Sequence, residues 1–238
     1  VEGNILRKEM ASFVGLFPLP MRHGMTFGEL ALFINTEFDI GCDLEIVKMK
    51  GWQRKLYFSC CDQPWVYPSP NMPTLQTAVV YPGQVIWEGT NISEGRGTTL
   101  PFELFGAPYL NHEEFEEKIE ETDLPGCFLR PLVFEPTSGK WAGDQCVGYQ
   151  LHVTDVISFK PYFTSLVLLR AAMSFSGFEY KQPPYEYEHV KLPLDLILGD
   201  RNLREQLEKG EKVELLESSW ENDLEKFMKR RENHLLYT

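Results

Sequence analysis

Val85-Ile86-Trp87 runs straight into Glu88-Gly89-Thr90-Asn91-Ile92-Ser93-Glu94-Gly95-Arg96-Gly97-Thr98-Thr99, three apolar residues followed by twelve in which charge, amide, hydroxyl and glycine alternate. The apolar run reads as a short buried strand, and the polar stretch as the loop at its C-terminal end, where open α/β sheets place their ligands. Two carboxylates, a guanidinium and an amide converge there between glycines that let a ligand approach the backbone closely. Carboxylates, Asn and Arg bond sugar hydroxyls well, and paired carboxylates are what glycosidic hydrolysis needs. The same residues would serve equally as a tight turn whose ion pairs are satisfied internally.

Around this loop, residues 64–108 hold seven of the 16 prolines and five of the 18 glycines, interleaved with Trp65, Tyr67, Tyr81 and Trp87. Flexible linkers are not studded with large aromatics, so these are ordered loops on a scaffold. Residues 78–81 read as a short helix or strand. The loop Pro68-Ser69-Pro70-Asn71-Met72-Pro73-Thr74 is stiffened by proline and could face the acidic one. Upstream, Thr26 and Glu29 have capping-box spacing ahead of Leu30, Phe33, Ile34 and Phe38, which starts a helix at Thr26 and leaves Arg22 and His23 in the loop before it. Residues 44–49 read as a strand.

Beyond residue 108 the texture becomes ordinary and amphipathic. Helices are expected near 113–121, 163–174 and 216–228, with a short one between Asp200 and Gly210, and strands near 129–134 and 149–153. The predicted class is α/β, with a boundary near residue 105: residues 1–105 complete part of a Rossmann-like domain, and 106–238 form a smaller α/β domain.

Composition excludes several classes of function. Asp plus Glu number 35 against 23 for Lys plus Arg, so 12 excess negative charges oppose binding to phosphate backbones or anionic lipid. Seven of the carboxylates fall in residues 111–123, spaced as a solvated helix face. No apolar stretch approaches the roughly 18 residues of a membrane span. Five cysteines with no C-x-x-C speak against a zinc module or a disulfide scaffold. The five histidines include no i, i+4 pair, so no metal is expected; no organic cofactor is expected either. Gly139-Lys140-Trp141 fails the phosphate-loop spacing, and Gly95-Arg96-Gly97 lacks the third glycine of a dinucleotide loop. A chain opening Val1-Glu2-Gly3 is expected to be processed or a piece of something longer.

Long ordered motifs cover nearly the whole sequence: V-E-G at Val1, F-V-G-L-F-P-L-P-M-R-H-G-M-T from Phe13, P-S-P-N-M-P-T from Pro68, Y-P-G from Tyr81, E-G-T-N-I-S-E-G-R-G-T-T from Glu88, P-F-E-L-F-G-A-P from Pro101, L-H-V-T-D from Leu151 and W-x-x-D-L-x-x-F from Trp220. In these the chain resembles the exo-β-N-acetylmuramidases, glycoside hydrolases that remove MurNAc from non-reducing ends of peptidoglycan fragments. The resemblance implies an upstream Rossmann-like half, absent here, that shares the cleft and supplies part of the acid/base machinery. It implies a peptidoglycan-derived saccharide as ligand, Glu88 and Glu94 as acid/base or transition-state-stabilising groups, and Arg22, His23, Ser69, Asn71, Asn91, Arg96 and Thr98 as residues holding the sugar. The competing expectation is a non-catalytic carbohydrate-binding module, or a subunit completed by a partner half.

Overall fold

The computed structural model describes residues 1–237. The elements run β1 (Glu2–Ile5), β2 (Pro20–Arg22), α1 (Phe27–Glu37), α2 (Leu75–Gln84), β3 (Leu104–Ala107), α3 (His112–Ile119), β4 (Cys127–Phe134), β5 (Cys146–Val153), α4 (Pro161–Ala172), α5 (Pro193–Leu198), α6 (Arg201–Glu208) and α7 (Val213–Glu232). The chain is thus α/β in class. Its strands form two small antiparallel sheets, β1-β2 and β3-β5-β4. Every helix and strand expected beyond residue 108 is present within a few residues of its expected ends.

α1 begins where its capping box places it. Thr26 N–H donates to Glu29 Oε2 at 2.8 Å, and Glu29 N–H donates back to Thr26 Oγ1 at 3.4 Å. Glu29 is fully buried, and its other oxygen accepts from Arg54 and from Leu236 N–H, so one carboxylate ties the helix start to a loop and to the chain's last residues. Thr26→Ala removes the cap and is expected to cost about 0.5–2 kcal/mol in a denaturant titration. Unchanged stability would mean that Glu29 holds the helix start without it.

Two expected strands are absent, each for a physical reason. Residues 44–49 keep the alternation of a strand, with Leu44 and Ile46 half-buried and Glu45 and Val47 exposed, but no strand lies beside them to complete a ladder among the described residues. Val85-Ile86-Trp87 is apolar because it is buried, not because it is extended. It is a 3-10 helix, Val85–Gly89, that prolongs α2 with a tighter turn. A short apolar run has the same periodicity signature in either conformation. The polar loop therefore leaves a helix end rather than the end of a parallel strand.

α4 is buried on all sides but Arg170, as a helix at the centre of a core must be. Around it pack Phe105 and Tyr149 of the three-stranded sheet, Phe115 of α3, Leu194 and Leu198 of α5, and Leu216 and Trp220 of α7. Ile86, Trp87 and Ile92 join the same core, so the polar loop is anchored on both sides of the expected boundary near residue 105. Trp87 stacks on Phe105 with centroids 5.0 Å apart, and its indole N–H donates to Gln84, whose amide in turn donates to Ser165 of α4 at 2.7 Å. The contact between α2 and α4 is backbone-close at Gly83, where an added Cβ would lie 1.9 Å from the Pro161 carbonyl oxygen.

Candidate active site

The loop that follows Val85–Gly89 closes on itself through two left-handed glycines, Gly95 at φ +75° and Gly97 at φ +79°. Thr98 Oγ1 donates to Gly95 O at 2.6 Å and accepts from Leu100 N–H at 3.1 Å, which fixes the turn. An added Cβ at Gly97 would lie 2.4 Å from Ser138 O, because the β4–β5 hairpin (residues 136–144) lies directly against it. Thr137 donates both its N–H and its hydroxyl to Gly97 O, at 2.9 and 2.8 Å.

Inside this frame five side chains form one chain of contacts. Tyr185 OH donates to Glu88 Oε2 at 2.8 Å, and Glu88 Oε1 pairs with an Arg96 Nη. Arg96 Nε pairs with Glu94 Oε1 at 3.0 Å, and Glu94 Oε2 pairs with Lys140 Nζ at 2.8 Å. One guanidinium thus bridges the two carboxylates, with a phenol at one end and an ammonium at the other. Burial works against the charge of Arg96, but Glu88 and Glu94 together hold its pKa above the ordinary value. Burial raises the pKa of the Tyr185 phenol, and the Glu88 carboxylate adds to the rise, so Tyr185 stays a proton donor to that carboxylate. Burial lowers the pKa of Lys140, with Glu94 opposing the shift.

These residues line a cleft of about 980 Å³ whose other walls include Trp141, Glu179, Tyr180, Lys181 and Gln182. Lys181 Nζ lies 4.9 Å over the Tyr185 ring and pairs with no carboxylate among the described residues. The cleft offers aromatic faces, two ion-paired carboxylates and cations in one place, the inventory that hydrogen-bonds and stacks on a pyranose.

Four of the nine candidate residues, Glu88, Asn91, Glu94 and Arg96, meet in this cleft. Asn91 is largely spent within the protein: its Nδ2 donates to Gly177 O at 2.8 Å, and its Oδ1 accepts from Tyr109 OH at 2.7 Å and Glu179 N–H at 3.1 Å. Thr98 serves the turn rather than lining the cleft.

The other four candidates lie apart from the cleft. Arg22 pairs with Glu2 at 2.8 Å and borders a separate slot of about 390 Å³ walled by Tyr57, Phe58 and Trp65. His23 Nδ1 accepts from Met25 N–H at 3.1 Å, and burial beside Arg231 lowers its pKa. Ser69 and Asn71 sit in the turn before α2, where Ser69 O accepts from Met72 N–H at 2.9 Å. Just beyond that turn, the start of α2 is held by Glu103, a buried carboxylate that accepts the hydroxyls of Thr74 and Thr77 at 2.6 and 2.7 Å. Lys140, Trp141, Tyr185 and Glu103 are not among the residues that sequence reasoning selected.

The fold and the cleft define an α/β protein with paired, cation-bridged carboxylates at a loop held between a helix end and a hairpin. Family models described as exo-beta-N-acetylmuramidase NamZ, N-terminal and C-terminal, match residues 1–76 and 79–237. The chain belongs to the exo-beta-N-acetylmuramidase NamZ family. It is 44% identical over 238 residues to the peptidoglycan beta-N-acetylmuramidase NamZ of Bacillus subtilis (strain 168), spanning 56% of that protein's length. It also superposes along its whole length on two crystal structures of DUF1343 family proteins from Bacteroides fragilis, covering 62% of each. The TM-scores are 0.85 and 0.73, at 26% and 25% identity.

Proposed function

We propose that this chain carries one wall of the active site of a β-N-acetylmuramidase that releases terminal MurNAc from non-reducing ends of peptidoglycan fragments. The opposing wall comes from a Rossmann-like half preceding these residues in the longer protein, a reading supported by the chain's spanning 56% of its B. subtilis relative. The observation that carries the proposal is the continuous Tyr185–Glu88–Arg96–Glu94–Lys140 array bordering the cleft. Glycosidic cleavage builds positive charge on the sugar ring in an oxocarbenium-like transition state. The carboxylates of Glu88 and Glu94 are fixed beside the cleft to stabilise that charge locally, while Arg96 and Lys140 balance them so that the array as a whole is neutral. Because both carboxylates are already ion-paired, they suit electrostatic stabilisation better than proton donation, and the proton for the leaving oxygen comes from the opposing wall. The lactyl carboxylate that distinguishes MurNAc meets Arg96 and Lys181, the cationic groups that face the cleft with donors to spare.

The test is release of chromophore from a MurNAc glycoside by the complete protein, compared with this chain alone. The complete protein should turn over the MurNAc glycoside and strongly prefer it to the GlcNAc glycoside, while the isolated chain should show little or no activity. No turnover by the complete protein would overturn the proposal. Full-rate turnover by the isolated chain would contradict the shared cleft and place all the chemistry on these residues.

A further inference from the structure

We infer that Lys140 is a positioning residue for Glu94, and that the β4–β5 hairpin exists in part to deliver it; the inference rests on the reading in which Glu94 acts on the sugar. Lys140 comes from the hairpin tip, 46 residues from Glu94 in sequence. Its ammonium has three protons and three protein acceptors: Trp87 O at 2.7 Å, Ile92 O at 3.0 Å and Glu94 Oε2 at 2.8 Å. Nothing on the nitrogen is left for a ligand, so Lys140 acts through the groups it holds.

Those groups are not a random set. Trp87 O closes the 3-10 turn before the loop, and Ile92 O lies just before Ser93-Glu94, so one nitrogen fixes the span of residues 88–91 together with the carboxylate beyond it. Neighbouring hairpin residues hold the same loop: Trp141 Nε1 donates to Asn91 O at 2.6 Å, and Thr137 caps Gly97 O. Trp141 adopts a left-handed backbone, φ +58°, which a tryptophan rarely takes and which the hairpin holds in place. Burying an ammonium is costly unless every proton is matched, and a compact three-donor group fits three converging acceptors as a planar guanidinium does not. Each carboxylate oxygen of Glu94 therefore has its own cation, Arg96 on one and Lys140 on the other. A carboxylate held at both oxygens keeps its orientation as charge develops on the substrate, which is what preorganised electrostatic stabilisation requires.

The experiment is a double-mutant cycle in the complete protein, read by kcat and KM on the MurNAc glycoside. Lys140→Met keeps the stem and removes the three donors. It should lower kcat about tenfold to hundredfold with little change in KM, the scale of a misplaced catalytic group. In a Glu94→Gln background the same change should cost less than about threefold, because a residue that acts through Glu94 has nothing left to position. Lys140→Gln, which keeps two donors, replaces Lys140→Met in the cycle if the latter does not fold.

A lower melting temperature with unchanged kcat would reduce Lys140 to a structural residue and overturn the inference. So would equal kcat losses in both backgrounds, or failure of both variants to fold. Absence of turnover in the unmutated complete protein is a different result: it overturns the muramidase reading itself, and this inference falls with it.

Discussion

Glu94→Gln in the complete protein is expected to lower kcat on a MurNAc glycoside by about 10²–10³, the scale of a lost electrostatic contact to the transition state, while leaving the fold and ligand binding close to normal. The substitution keeps the shape of the side chain and removes its charge. Arg96 and Lys140 then face a neutral amide, and an array whose two carboxylates balance two cations is left with net positive charge beside a transition state that is itself positive. Glu88→Gln is the companion measurement, since Glu88 shares Arg96 with Glu94 and is held from the other side by Tyr185. Reading kcat together with the thermal midpoint separates chemistry from structure. If both variants keep near-normal kcat and only melt earlier, the loop is a sugar-positioning element and its ion pairs are structural.

The largest expected effect on stability is at Gly83. Any side chain there meets the Pro161 carbonyl oxygen at 1.9 Å and Ser165 Oγ at 2.4 Å, and the nearest atoms include backbone at the start of α4 that cannot swing aside. Gly83→Ala must push α2 off α4, with overpacking costs of about 1–3 kcal/mol or more. For a chain of this size that is a fall of roughly 2–4 °C in Tm per kcal/mol. The displaced end of α2 also carries Gln84, which links Trp87 to Ser165, so the shift should propagate to the acidic loop and reduce kcat in the surviving folded fraction. A variant with unchanged Tm would show that the α2–α4 contact relaxes without cost.

Local features of the chain and features assembled by the fold divide along a physical line. Features set by neighbours a few residues apart were legible: the Thr26–Glu29 capping box, the short helix between Asp200 and Gly210, and the long helix around residues 216–228. The grouping of Glu88, Asn91, Glu94 and Arg96 was legible for the same reason, since they fall within nine consecutive residues. Legibility failed where burial and conformation separate. The run at Val85 is apolar enough for a strand, but it follows Pro82-Gly83 at the end of a helix and tightens into a 3-10 turn.

It failed again where the site depends on distant chain segments. Gly139-Lys140-Trp141 carries no local mark beyond its failure as a phosphate loop, and Tyr185 sits in a proline-bearing loop 97 residues from the Glu88 it bonds. Antiparallel pairing of β4 with β5 brings the first to the acidic loop, and the return of the chain through Thr90–Tyr180 bridging brings the second. The motif likeness pointed to Arg22, His23, Ser69 and Asn71 as companions of the acidic loop, yet in this chain they lie outside the cleft that the loop lines.

A β-N-acetylmuramidase built this way binds its terminal MurNAc in the cleft bordered by Glu88, Glu94 and Lys181. A crystal structure of the complete protein soaked with MurNAc tests it most directly. The pyranose is expected in this cleft, with its ring near Glu88 and Glu94 and its lactyl carboxylate on Arg96 or Lys181. Ordered MurNAc in the slot walled by Tyr57, Phe58 and Trp65, with the acidic cleft filled only by solvent, would contradict it.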